Sequence, residues 1–443
     1  MYQLEPQRKG RSRLNISILI LGILGLIAIT AGLVYQIPFV QENLAWRISE
    51  VRSKIKYALS PPGEVVFTPN PTLASMVQST LDAMTPTLTP TSTLTPTPTS
   101  TPELTHTPTP SPTPLPESVF LDNIRHEYQS WNNCGPANLS MALSYWDWQG
   151  NQTHTASYLK PNPRDKNVMP YEIENFVNDE TDLNILVRVG GDLDMIKSFI
   201  AAGFPVLIEK GFETPRAEGW MGHYQVLAGY DDERQIFNAY DSFEGDFTDG
   251  KTLAMPYEKI ETYWRHFNNT YIIIYPGERE TEVYKILGPH LDETYNFTHA
   301  AGKASIDILQ QTGREQFFAW FNRGTNLMRL QDYGGAANAY DEAFNIYATL
   351  DPDTRPWRIL WYQTGPYFAY YFTGRYHDVI NLANQILENA SEPVMEESYY
   401  WRALARESLG DLAGAIRDLE KSLKYHPGFQ PSEYQLDRLG VSY

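Results

Sequence analysis

The chain has 443 residues, 29 tyrosines, 10 tryptophans and a single cysteine, with 53 acidic against 35 basic side chains and a formal charge of −18. A lone cysteine excludes an intrachain disulfide, and the acidic excess argues against nucleic acid as a partner, because that binding depends on basic patches. The outer domains must therefore be held by their hydrophobic cores alone.

Residues 1–13 form a basic N-terminus, with Arg8, Lys9, Arg11 and Arg13 ahead of an apolar run from Leu14 to about Val34 that continues weakly to Val40. About 20 apolar residues suffice to cross a bilayer, and basic residues before a first span keep that end in the cytoplasm. Residues 14–40 are expected to form a single-pass transmembrane anchor in the cell membrane, with the C-terminal domains extracytoplasmic. The run is long for a signal peptide, and no clear Ala-x-Ala site follows it. A juxtamembrane segment at 41–60 comes next. From 61 to 117 the composition collapses to proline and threonine, most densely in Thr105 to Pro116. Such a segment cannot bury enough apolar surface to fold and favours polyproline II. At about 3.1 Å per residue it reaches on the order of 150 Å, which reads as a disordered stalk.

The stretch Tyr128-Gln129-Ser130-Trp131-Asn132-Asn133-Cys134-Gly135-Pro136-Ala137 places the cysteine where a loop turns into a helix. Pro136 suits a first helical turn, and Met141, Ala142, Tyr145 and Trp146 continue an apolar stripe. The free N–H groups and dipole of a helix N-terminus favour a thiolate, the attacking form of cysteine. Further along, a helical segment is predicted from Tyr171 to Val177, a strand at Ile185–Val189 and a helix at Leu193–Ala202. Strands follow at Val206–Glu209, Tyr224–Gly229, Gln235–Tyr240 and Tyr271–Tyr275. An antiparallel pair joined by the turn Asp231-Asp232-Glu233-Arg234 brings His223 and Asp241 to one end of a sheet. His223 then takes and returns the thiol proton while Asp241 fixes its tautomer. Asp231 and Asp232 lack the ligand count of a calcium site, and no metal or cofactor is expected.

Together, Gln129, Asn133-Cys134-Gly135-Pro136, Gly222-His223 and Tyr240-Asp241 resemble the papain-like cysteine peptidases, specifically the bacteriocin-leader-processing C39 peptidases and their C39-like relatives. The resemblance covers about 118–276 and implies an α+β papain-like domain. It also implies that Gln129 supplies a side-chain donor to the oxyanion hole, with the Cys134 N–H as the second donor. Leader peptidases usually carry an acid before the nucleophile and are fused to a transporter. This chain has Asn133 there and no phosphate-binding loop, so leader processing is not carried over.

Residues 277–315 read as a helical connector. From 316 to 443 the segments beginning Gln331-Asp332-Tyr333, Gly374-Arg375-Tyr376 and Gly410-Asp411-Leu412 recur at intervals of 43 and 36 residues. They resemble tetratricopeptide repeats, with Trp320, Gly324, Ala336, Tyr340 and Ala343 at the family's packing positions and Pro366 interrupting the middle copy. Asn322, Arg323, Tyr362 and Arg402 are expected to grip an extended peptide. The whole reads as a membrane-anchored extracytoplasmic cysteine peptidase or amide hydrolase, whose repeats bind a polypeptide substrate or protein partner. Transamidation would use the same four groups, and a catalytically silent scaffold is the alternative. Modules of this kind are expected to fold separately.

Overall fold

The computed structural model describes residues 51–69, 114–213, 219–244 and 252–443, together with 21–23, 25, 26 and 30. The chain divides into two compact units, 1–61 and 62–443. In the first, residues 51–59 are helical. The span expected over 14–40 lies largely outside the described residues, among which no helix is long and apolar enough to cross a membrane.

The second unit is built on one sheet whose strands are apolar on both sides. In β7 (Tyr271–Pro276) the successive residues Tyr271 to Tyr275 are all buried. Alternate side chains of a strand point to opposite faces, so a run of this kind requires cover on both. Tyr271, Ile273 and Tyr275 join Val206, Ile208, Leu227 and Phe237 under α4 (Leu193–Ala201) and α5 (Tyr257–Arg265). Ile272 and Ile274 join Leu207, Tyr224, Val226 and Tyr240 under α1 (Cys134–Ser144) and α3 (Pro170–Glu180). All pairings are antiparallel, in the order β2 (Leu183–Arg188), β7, β3 (Val206–Phe212), β4 (Met221–Asp231), β5 (Ile236–Tyr240), β6 (Leu253–Pro256). The short strand β1 (Ser118–Phe120) pairs with the end of β4 that β3 leaves free.

This is the α+β papain-like architecture expected for the middle of the chain. The spacing correctly marks the long apolar elements and misses β1, α2 (Gln152–Leu159) and β6, whose few apolar residues carry no clear period, and also α5, although its Tyr257, Ile260 and Trp264 recur at helical spacing. Helix α1 ends at Ser144, so Tyr145 and Trp146 lie past the stripe assigned to it, and its residues from Gly135 to Ser144 are buried all round.

The C-terminal region is helical. It begins with α6 (Glu280–Leu287) and α7 (Glu293–Gln310) and continues with α8 (Gly313–Arg329) and α9 (Tyr333–Thr349). Pro366 divides the next helix into α10 (Ile359–Tyr362) and α11 (Gly365–Phe372), as a residue without an N–H and with fixed φ must. Helices α12 (Tyr376–Asn389), α13 (Glu396–Ser408), α14 (Leu412–Tyr425) and α15 (Gln430–Arg438) complete it. Small residues set close approaches: a Cβ on Gly324 of α8 would lie 2.7 Å from the Tyr340 ring of α9.

Sheet and helices share one core. Trp220 and Phe267, which flank the sheet, stack 5.7 Å apart and pack with Phe317, Phe318 and Phe321 of α8. The His266 ring stacks on Phe318 at 3.9 Å. Asn268 and Asn326 exchange amide hydrogen bonds of 2.7 and 3.0 Å, and Asn322 donates to the Arg265 carbonyl at 2.7 Å.

Two expectations change here. The disordered stalk predicted over 61–117 falls largely on residues 70–113, which lie outside the described residues, while residues 62–69 are ordered against the helices. Pro62–Glu64 forms a 3₁₀ turn, Phe67 is buried against Phe344 with ring centroids 4.9 Å apart, and Arg355 donates to the Gly63 carbonyl. One aromatic anchor outweighs a polar composition. The residues expected to grip a peptide are mostly committed inside the protein: Asn322 to Arg265, Arg323 to Ser305, and Arg402 to Asp418 at 2.7 Å.

Candidate active site

Cys134 opens α1, and Asn133, the residue before it, makes no side-chain cap to the helix. The first N–H groups of the helix therefore keep no capping partner from that side chain. Asn133 instead donates to Gln152 Oε1 at 3.3 Å. One turn into the helix, the Asn138 amide donates to the Cys134 carbonyl at 2.9 Å and to the Ser242 hydroxyl at 2.8 Å.

The long strand β4 supplies the base. His223 is 3% exposed and Asp241 fully buried, and the His223 Nε2 lies 3.1 and 3.0 Å from the two Asp241 oxygens. That leaves Nδ1 as the imidazole atom available to Cys134, whose sulfur and the His223 ring interact electrostatically. The register pairs Val226 with Tyr240, so Gln225, on the same face of β4 as His223, also reaches Asp241 and donates to Oδ2 at 2.7 Å. The N–H groups of Phe243 and Glu244 both donate to Oδ1 at 2.8 Å. The Phe212 ring lies 4.7 Å from the His223 ring and holds it from the side.

Charges set the protonation states. Burial would raise the Cys134 thiol, but its interaction with His223 outweighs that, with Lys160 adding to it, and holds it below its ordinary value. Burial would lower His223, yet Asp241 and Cys134 raise it to about 9. Asp241, despite its burial, is held well below the carboxylate range by His223 and Lys210. The electrostatics thus favour a thiolate beside an imidazolium, backed by a carboxylate.

Gln129 sits beside this group. Its N–H donates to the Ser242 carbonyl at 2.8 Å, and its side-chain Oε1 accepts from the Ser242 hydroxyl at 2.7 Å. With the oxygen end occupied, the amide presents its Nε2 as a donor. All four sequence-predicted residues are therefore gathered: Cys134 to His223, His223 to Asp241, and Gln129 through Ser242 next to Asp241.

Sequence reasoning missed several neighbours. Gln225 follows His223 by two residues and Asn138 follows Cys134 by four, so strand and helix periodicity carried a signal for both. Glu209, opposite Tyr224 in the β3–β4 ladder, had none. Burial raises its carboxyl well above the usual range, and Tyr224 spends its own proton on the Val168 carbonyl at 2.9 Å. From the helical region, Tyr362 lies against Gly222, where a Cβ would come within 2.9 Å of its ring.

A separate cluster joins the two halves. Asp165, Glu396 and His426 place ligand-type atoms within 4.8 Å of one another, alone in this among the described residues. Burial would lower His426, but the Asp165 and Glu396 carboxylates, 3.7 and 3.6 Å from its Nδ1, raise it to about 10. Burial raises Glu172, Glu396 and Glu397 around it. Asp231 and Asp232 form an ordinary turn, with Asp231 accepting from the Arg234 N–H and Asp232 from Lys197 and Tyr257.

Residues 121–272 match the Peptidase_C39 like family, so the middle of the chain is similar to these peptidases. A C39-like peptidase structure from Bacillus anthracis is 17% identical, covering 35% of this chain and 96% of that one at a TM-score of 0.29. Xylellain, a cysteine protease from Xylella fastidiosa, is 16% identical over 37% of this chain and 87% of its own, with a TM-score of 0.28. A curated relative, aryl-hydrocarbon-interacting protein-like 1 of Bos taurus, is 24% identical over 147 residues, 31% of this chain. The chain spans about two fifths of that relative's length, the matched share being 41%.

Proposed function

We propose that the chain is a cysteine peptidase or closely related amide hydrolase, with Cys134 as nucleophile, His223 as general base and acid, Asp241 as its orienting group and Gln129 as an oxyanion donor. The observation that carries this reading is the buried, hydrogen-bonded His223–Asp241 pair beside the only cysteine, which opens a helix. The Cys134 thiolate attacks the scissile carbonyl carbon, and the oxygen gathers charge facing the Gln129 amide and the Cys134 N–H. His223 passes its Nδ1 proton to the leaving amine, leaving a thioester on Cys134. It then removes a proton from water, whose oxygen attacks the thioester to release the acid and restore the thiol.

The helical region supports a role in recognition. Its hairpins α8–α9, α11–α12 and α13–α14 recur as tetratricopeptide repeats would, and a groove of about 1080 Å³ lies between them and the catalytic half. Tyr158, Tyr171, Phe372, Tyr400, Trp401 and Phe429 line it, a surface suited to an extended polypeptide. An N-terminal membrane anchor over 14–40 completes the proposal and puts the site outside the cytoplasm. The test is hydrolysis of unstructured peptides by the purified chain: activity lost in both C134A and H223A supports the reading, and activity retained in C134A overturns it.

A further inference from the structure

Helix α2 touches the nucleophile loop at two points, and the two contacts differ in kind. Gln152, at its start, accepts from the Ser130 N–H at 2.7 Å and donates to the Tyr128 carbonyl at 2.6 Å. A neutral amide therefore fixes the half of the loop that carries Gln129. The other half, next to Cys134, takes one 3.3 Å bond to the same amide from Asn133 and is otherwise held by a charge. Lys160, at the C-terminal end of α2, is 5% exposed and donates from Nζ to the Asn132 carbonyl at 2.8 Å and toward Asn133 Oδ1 at 3.5 Å. Asn132 has φ +54°, a left-handed backbone that costs free energy in a non-glycine residue. Burying an ammonium also costs several kcal/mol unless it is compensated. A neutral donor would suffice to hold one carbonyl, so the charge calls for another reason.

The groups facing the ammonium supply that reason. Burial lowers Lys160 below its ordinary value, while Asp165 and the Cys134 sulfur oppose that and favour its charged form, and Lys166 is the other nearby cation. Around the sulfur itself stand His223, Glu209, Tyr224 and Tyr362. Glu209 is pushed toward its neutral acid by burial and both phenols are raised well clear of ionisation. His223 and Lys160 are then the two cations beside the thiolate.

We propose that Lys160 is a positioning residue of the thiol site: its ammonium holds the strained Asn132–Asn133 turn that aims the Cys134 N–H, and its charge stabilises the sulfur anion beside it. The inference rests on the reading of Cys134 as a nucleophile. It extends that reading to a residue 26 positions away that no motif marks.

Because Cys134 is the only cysteine, the rate of iodoacetamide alkylation of the intact chain against pH reports this thiol alone. Lys160→Gln keeps a donor for the Asn132 carbonyl and removes the charge, Lys160→Met removes both, and Lys160→Arg keeps the charge. The midpoint should rise by about one pH unit in K160Q and K160M and return most of the way in K160R, as expected for loss and restoration of a nearby opposite charge. Hydrolysis of a small ester should lose kcat in K160M with KM little changed. A K160Q midpoint equal to that of the unmodified chain overturns the proposal. So does a failure of both neutral variants to fold while K160R folds, since the charge would then serve the fold alone. The midpoint is readable without turnover, so an unmodified chain that hydrolyses nothing refutes the peptidase reading and leaves the Lys160 comparison intact.

Discussion

At the scale of single residues, the site depends on a carboxylate that is fully spent. Asp241 takes bonds from His223, Gln225 and two backbone N–H groups, so it has no capacity left to turn away from the imidazole. His223 is thereby fixed with Nδ1 toward the sulfur and held charged up to about pH 9. Two outcomes follow for the variants. His223→Ala should slow alkylation of Cys134 at pH 7 by about tenfold or more, because the thiolate loses its main partner. Gln129→Ala should lower kcat by on the order of 10²-fold with KM little changed, the signature of a donor used only as oxyanion charge develops. Turnover should fall as pH rises through about 9, where the imidazolium that protonates the leaving group is lost, and a pH–rate profile checks this. Cys134, His223 and Asp241 were legible in the sequence because each sits beside a helix start or a strand end, and Gln129 only through the family resemblance. Glu209 and Lys160 were not, because what brings them to the sulfur is sheet register and the course of the loop after α2, and neither leaves a local pattern.

At the scale of elements, β4 organises the site. It is 11 residues long, pairs with β3, β5 and β1, and carries His223 and Gln225 at the end nearest the helical region. The glycine before His223 is required by that neighbour: a Cβ on Gly222 would lie 2.7 Å from Phe267 Cζ and 2.9 Å from the Tyr362 ring. Gly222→Ala should therefore cost about 1–3 kcal/mol of stability through overpacking. Denaturant unfolding monitored by tryptophan fluorescence measures it, and an unchanged midpoint would mean that Tyr362 yields freely. The sequence marked Gly222 only as a strand opener. Helix α1 shows the opposite limit of legibility, since its apolar stripe was visible but its burial on every side depends on where α2 and α3 lie.

At the scale of the whole molecule, the catalytic and helical halves are one body and not two modules in series. Trp220, His266, Phe267 and Asn268 leave the sheet to pack inside the helices, surfaces that a fragment of residues 118–276 would expose to water. That fragment should aggregate or lack near-ultraviolet dichroism, in contrast to the separate folding that the repeat pattern alone suggests. The Asp165–Glu396–His426 cluster adds a pH dependence to the union. His426, Glu172, Glu396 and Glu397 all have values raised above their unfolded ones. The contribution of His426 is complete below about 6.5 and is lost as pH rises to about 10, and that of the three carboxyls is complete below about 4.5 and is lost as pH rises through their folded values. Thermal unfolding at pH 6 and pH 10 should show a lower Tm at the alkaline end, and His426→Gln should shrink the difference.

The central claim is that the sole cysteine forms a covalent acyl intermediate. Intact-mass analysis of the chain, quenched in acid during incubation with a peptide mixture, tests it most directly. The account predicts an acyl adduct on Cys134 that decays with hydrolysis, is absent in C134A, and accumulates more slowly in H223A. Cleaved peptides appearing equally with C134A, or no adduct and no cleavage with the unmodified chain, would contradict it.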